Sequence, residues 1–275
     1  MTDDVVITKN NVDYRLSDYG VRVINFDLSS ANIVNENNQV GTYGMQTISS
    51  KVADLNITLT FDLIADDKLD FELRRLKLIG LFATPGKFFI YSTRLPYVRY
   101  KVALQGSVNI PRFDNSDVIS NDVTVNMVCS DGYGESLAST LDNINNPNGK
   151  WGLGMNIEAN NKPKYRFSNN NYFQFFNAGH IPLLADDHPV KIHFNGDVGN
   201  SLSITNETTH QTLVINHAMK KSDRLDIIGL IPYLNGQQIY SSCNHAYLDF
   251  MIGNNIITIN GASNFDISFE TKFYY

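Results

Sequence analysis

The sequence predicts a mainly β protein of two domains. Three observations carry that prediction: long runs of strict apolar–polar alternation, turn signals concentrated in the second half, and a single segment with the period of a helix. Leu55, Ile57, Leu59, Phe61 and Leu63 alternate with Asn56, Thr58, Thr60 and Asp62. Successive side chains of a strand point to opposite faces, so this run is a strand with one buried face and one wet face. Val98, Tyr100, Val102 and Leu104 repeat the pattern, as do Val123, Val125 and Met127. Further along the chain Phe265, Ile267, Phe269 and Phe273 share one face, opposite Asp266, Ser268, Glu270 and Lys272.

The helix is predicted over Asp67 to Phe82, capped by Asp66 or Asp67 and followed by the stop Pro85-Gly86. At 100° per residue Leu69, Leu73 and Leu76 form one face, and Phe71, Leu78 and Phe82 lie nearly opposite. Arg74, Arg75 and Lys77 occupy the flanks. A helix apolar on two sides needs two apolar neighbours. Two arrangements supply them: a wedge between two layers of the same monomer, or one face on the monomer's sheet and the other on a neighbouring subunit. The second makes Phe71, Arg74, Arg75, Leu78 and Phe82 candidate residues of an inter-subunit contact. The polar tract 29–46, with Asn35, Asn37, Asn38, Gly41 and Gly44, is expected to be a long loop and a candidate arm toward a neighbour.

In the second half Asn195-Gly196, Asn235-Gly236 and Asn260-Gly261 each abut an apolar run. Asn-Gly accepts the positive φ angles of a hairpin turn, so short strands are expected at 190–194, 201–205, 211–215, 224–230, 246–252, 255–259 and 264–273, together a β-sandwich. The turn-forming stretch Asp142 to Gly149 reads as a linker, and it divides the chain into domains 1–145 and 146–275. A second loop is expected at 167–171.

Composition narrows the function. With 43% hydrophobic and 18% charged residues in 275, a sizeable core is available. A net charge of -6 lacks the basic balance of a nucleic-acid binder. The two cysteines, Cys129 and Cys243, stand far apart with no C-x-x-C partner, and are expected to be free buried thiols. Met1-Thr2-Asp3-Asp4 is unlike a secretory leader, and no apolar run reaches the roughly 18 residues of a membrane span, so synthesis in the cytoplasm is expected. The six histidines show no metal-ligand spacing, and no nucleophile elbow, phosphate loop or dinucleotide fingerprint appears. The expectation is a protein that is not an enzyme, with no metal and no cofactor. One rival role is a host cell-wall carbohydrate adhesin, acting through aromatics of the second half, Tyr172, Phe173, Phe175, Phe176, Tyr233, Tyr240 and Tyr247, although these read first as core or interface residues. Trp151, at the domain junction, is expected to be structural.

The order of elements carries a resemblance: an alternating strand at 55–63, the helix, the strand Phe88-Phe89-Ile90-Tyr91, the segment from Leu95-Pro96-Tyr97 through Tyr100-Lys101-Val102, and a strand ending near Cys129. This layout resembles the N-terminal half of the siphophage distal tail proteins. The second half, through Phe269-Glu270-Thr271-Lys272-Phe273, looks like their galectin-like C-terminal β-sandwich. The resemblance implies an N-terminal β-sandwich-like domain with one helix, and a virion protein of the tail tip or baseplate. It implies a hexameric ring that joins the tail tube protein to the tail-associated lysin or spike. In many members the C-terminal domain also carries receptor-binding proteins, and DNA passes through the ring without specific binding. Galectin sugar-site strands are not matched: Trp151-Gly152 is followed by Leu153-Gly154, without the expected Glu and Arg. The sandwich is therefore expected without that sugar site.

Overall fold

A computed structural model describes residues 3–112, 117–144, 150–152, 154–158 and 160–275. The chain divides into two compact units, Met1–Glu135 and Ser136–Tyr275. The architecture is mainly antiparallel β with one α-helix. Of the expected linker 142–149, only 142–144 lie within the described residues.

The first unit contains β1 (Val5–Lys9), β2 (Val12–Arg15), β3 (Val21–Leu28), β4 (Ile33–Gln39), β5 (Met45–Val52), β6 (Leu55–Ile64), α1 (Lys68–Phe82), β7 (Phe88–Ser92), β8 (Val98–Leu104) and β9 (Ile119–Cys129); β10 (Glu135–Ser136) lies at the boundary. The main sheet runs β2-β1-β7-β8-β9-β6-β3. Its centre is the predicted alternating run, with Leu55, Ile57, Leu59 and Phe61 of β6 opposite Cys129, Met127, Val125 and Val123 of β9. All eight are buried. Strands from both ends of the sheet contribute to the same core cluster, Val5 and Ile7 at one end and Val21 at the other, so the sheet curls around one interior.

Helix α1 closes that interior. Asp67 caps it, its side chain accepting from the Asp70 amide at 2.8 Å and so satisfying one of the N–H groups a helix start leaves open. Phe71, Leu78, Leu81 and Phe82 point inward, and the Phe82 ring stacks on Phe61 of β6 with centroids 6.3 Å apart. The assignment of Phe71, Leu78 and Phe82 to a subunit boundary is corrected here: all three have no exposed surface and belong to the core of their own unit. A side chain of this size gains about 1.5–3 kcal/mol from such burial, and in these positions it is satisfied without a partner.

The tract 29–46 is not a loop. It forms most of a two-stranded sheet, β4 with β5, in register from Ile33↔Val52 to Gln39↔Met45. Cross-strand polar pairs support it: Ser50 donates to Asn35 at 2.6 Å, Thr47 to Asn37 at 2.7 Å and Ser49 to Glu36 at 3.0 Å. A strand pair joined by amides and hydroxyls has no apolar alternation, which is why the sequence pattern reads as loop.

The second unit contains β11 (Arg166–Ser168), β12 (Tyr172–Asn177), β13 (Lys191–Asn206), β14 (Gln211–Ile215), β15 (Leu225–Ile228), β16 (Ile231–Leu234), β17 (Gln237–Gln238) and β18 (Gly253–Glu270). β13 and β18 pair along most of their length. Two of the three expected hairpin turns are instead irregularities inside these long strands. Asn195-Gly196 sits at a register shift of β13, where a Cβ on Gly196 would come within 2.4 Å of Phe265. Asn260-Gly261 lies within β18, with Gly261 at φ +83° against the Ser201 carbonyl. The same glycine that permits a tight turn also permits a bulge and close backbone approach, and here the long partner strand decides between them. Asn235-Gly236 is a true turn, linking β16 to β17 with φ of 51° and 80°. The segment 246–252 contributes an isolated bridge, Leu183↔Phe250, rather than the expected strand. The core is aromatic, with Phe175, Phe250 and Phe269 in mutual contact and Trp151 packed on Phe273 at 5.7 Å. Cys129 and Cys243 are free and buried.

Candidate assembly surface

The outward face of α1 is apolar. Leu69, Leu73 and Leu76 stand one and two turns apart, 70%, 49% and 69% exposed. Gly80 continues the same row, and a Cβ there would meet nothing within 4 Å. Glycine inside a helix costs about 0.5–1 kcal/mol relative to alanine, and no packing within the unit requires it at this position. The row therefore has the form of a surface another backbone can approach.

Charged pairs fix the flanks of this row. Arg74 lies 2.7 Å from Asp70, donates to the Ile64 carbonyl at 2.9 Å and lies 3.2 Å from Asp66. Arg75 donates to Glu72 at 3.4 Å, and Glu72 also accepts from Arg112 at 2.7 Å. Lys68 pairs with Asp117. The Asp66 amide, and then Arg74, hold the Asp70 carboxyl below the usual carboxylate range, and Lys68 does the same for Asp117. Of the two arginines predicted as contact residues, Arg74 thus ties the helix to its own unit through Ile64 and Asp66, and Arg75 pairs within the helix with Glu72. The sequence set the two faces of α1 correctly and assigned the outward role to the wrong one. The missing signal was tertiary: only the curled sheet determines which apolar face is covered.

The β4–β5 hairpin is the second exposed element. Its root is fixed by Asn32, whose amide donates to the Asp54 carbonyl at 2.8 Å and whose side chain donates to the Asp54 carboxylate at 2.9 Å. Beyond the root almost every residue is exposed, including Ile33, Val34, Ile48 and Val52, with Met45 at 73% and Tyr43 at the tip at 92%. A two-stranded hairpin is marginal in water on its own. A hairpin that also holds apolar side chains in solvent gains by docking on something.

Among the described residues no group of three His, Cys, Asp or Glu side chains is placed to hold a metal ion. One side-chain cluster escaped the sequence reading. His193 of β13 has Nδ1 2.6 Å from Asp226 of β15 and Nε2 3.1 Å from Glu270 of β18. These residues come together only through sheet registration.

Residues 9–129 match the family model of the phage tail protein RIFT-related domain. The first unit carries a phage tail domain. Its match runs from β1 to the end of β9 and takes in both α1 and the hairpin. Over the whole chain the fold is similar to that of the SPP1 Dit protein, described as a paradigm of the hub adsorption apparatus in phages infecting Gram-positive bacteria. The TM-score is 0.71 at 12% identity, covering 99% of this chain and 100% of that one. A chain of the phage P2 baseplate in its activated, calcium-containing conformation aligns at TM-score 0.44 and 8% identity, covering 99% of this chain and 98% of that one. No curated protein matches the sequence. The exposed hairpin and the leucine row therefore both belong to the tail domain, and the second unit lies outside the matched stretch.

Proposed function

We propose that the protein is a structural hub of a siphophage tail tip or baseplate, acting by assembly rather than catalysis. The observation that carries this reading is the phage tail domain over residues 9–129, supported by the whole-chain likeness in fold to a hub protein. In this reading identical subunits close into a ring, a hexamer, since one repeated patch and rotation symmetry suffice to close it. The first unit, residues 1 to about 145 in the sequence division, forms the ring. The tail tube protein sits on one side, and the tail-associated lysin or spike and the receptor-binding apparatus on the other. The second unit is a galectin-like sandwich, and the protein ends in the virion after synthesis in the host cytoplasm.

The outward leucine row of α1 and the β4–β5 hairpin are the surfaces a neighbouring subunit would cover, because both leave apolar side chains in solvent within the tail domain. Solution mass by light scattering after size exclusion, with negative-stain images of the main peak, tests the reading. The expected result is a ring with a central hole, at 6 × 30.9 kDa, about 185 kDa. A chain that stays monomeric, alone and when mixed with tail tube and lysin proteins, would overturn it.

A further inference from the structure

The outer face of β12 and β18 has no role in the hub reading, yet it is arranged as a binding surface. Along β12 the buried Phe173 and Phe175 alternate with outward Tyr172, Gln174 and Phe176. The register sets these opposite Thr258, Ile256 and Asn254 of β18. Tyr172 and Phe176 are four residues apart, about 13 Å at strand rise, with an amide between them. At the Phe176 end, side chains from the segments 156–158 and 161–167 line a cleft of about 390 Å³ together with Gln174, Phe176 and Asn254. That volume is in the range of small-molecule sites.

The lining is chemically specific. Phe176 and Phe167 offer ring faces, and the Phe167 ring is held by stacking on Phe173 at 3.8 Å. Around them stand Glu158, Asn161, Lys162, Lys164, Gln174 and Asn254; Lys162 is already engaged, and the side chains of the other five have no hydrogen-bond or ion-pair partner among the described residues. Asn156 spends its side-chain N–H on the Ala178 carbonyl at 2.9 Å, which leaves its amide oxygen available to accept. Amides donate and accept side by side, a carboxylate only accepts and an ammonium only donates. A ligand that fits this lining needs apolar C–H faces to lie on the rings and many hydroxyls that both donate and accept. That is the chemistry of a pyranose chain.

We infer that the cleft lined by Asn156, Glu158, residues 161–164 and Phe167 against Gln174, Phe176 and Asn254 binds a short stretch of neutral polysaccharide, with Phe176 as the platform and Gln174 and Asn254 reading hydroxyls. This goes beyond the hub reading and does not depend on it, because every residue of the cleft lies in the second unit. It also differs from a galectin site, whose sequence signature this chain lacks.

The test is calorimetric titration of the full chain with maltotetraose, cellotetraose and the tetramer of N-acetylglucosamine, each taken to millimolar concentration. At least one is expected to bind. Phe176→Ala is expected to weaken that binding by about tenfold or more, since it removes the stacking platform. Phe176 is half-buried, so the double variant Gln174→Ala/Asn254→Ala serves as the second arm: both side chains are exposed, and the melting temperature is expected to hold while affinity falls by about tenfold. Absence of binding to all three probes, or binding that both variants leave intact, would overturn the inference. The solution mass of the same samples reports on the ring separately.

Discussion

At His193 two carboxylates from neighbouring strands converge on one imidazole. Both ring nitrogens lie within hydrogen-bond distance of carboxylate oxygens. Arg224 also donates to Asp226, at 3.0 Å. Partial burial pushes the Asp226 carboxyl up, but the hydrogen bonds from His193 and Arg224 outweigh it and hold it below the usual carboxylate range. Asp266 is lowered by Lys221 and Ser168, and Asp223 by the Lys220 amide and Asn235. A carboxyl whose folded value lies below its unfolded one contributes stability above the unfolded value, near 3.9. That contribution disappears as the pH falls through the lower folded value. The second unit should therefore lose thermal stability as the pH falls below about 4. Asp226→Asn should lower the melting temperature at pH 7 and flatten the acid slope, which a series of melts across that range would show. None of this was legible in the sequence, where His193 stands 33 residues from Asp226 and 77 from Glu270.

For the elements, legibility followed the kind of interaction that holds each one. β6, β8, β9 and the Phe265–Phe269 portion of β18 bury one face and were readable from alternation alone. The hairpin β4–β5 is held by polar cross-strand pairs and was not. Of the Asn-Gly signals, Asn235-Gly236 and Gly261 adopt the positive φ expected and Asn195-Gly196 does not, and whether a turn or a bulge results depends on a partner strand some 60 residues away, which no local pattern contains. Helix α1 shows the same division: its span and cap could be read, and its covered face could not. The two faces now give opposite expectations for substitutions two residues apart. Leu78→Asp places a charge in the core and should unfold the first unit, a loss of several kcal/mol. Leu76→Asp, on the outward row, should leave the fold intact with a change of about 0.5 kcal/mol or less, and should disrupt the ring. Circular dichroism melts and light scattering on the two variants would separate these outcomes. A ring that survives Leu76→Asp would remove the leucine row from the interface.

In the whole molecule, two compact units, each with buried side chains of its own, call for two unfolding events. The first core is mainly aliphatic with a helix laid against it, and the second holds a block of aromatic rings. Scanning calorimetry should resolve two transitions, and Leu78→Ala should move one of them down while the other stays in place. The long pairing of β13 with β18 has a further consequence, for the order in which the protein is made. The first unit has its full set of sheet strands once Ser136 has left the ribosome, so it can fold while the rest of the chain is still being synthesised. The second unit has no such option. β11, β12 and β13 all take β18 as their partner, and β18 runs to Glu270. Until that strand emerges, about a hundred residues of aromatic-rich chain wait without the partner that closes their sheet, while the first unit already has every strand of its own.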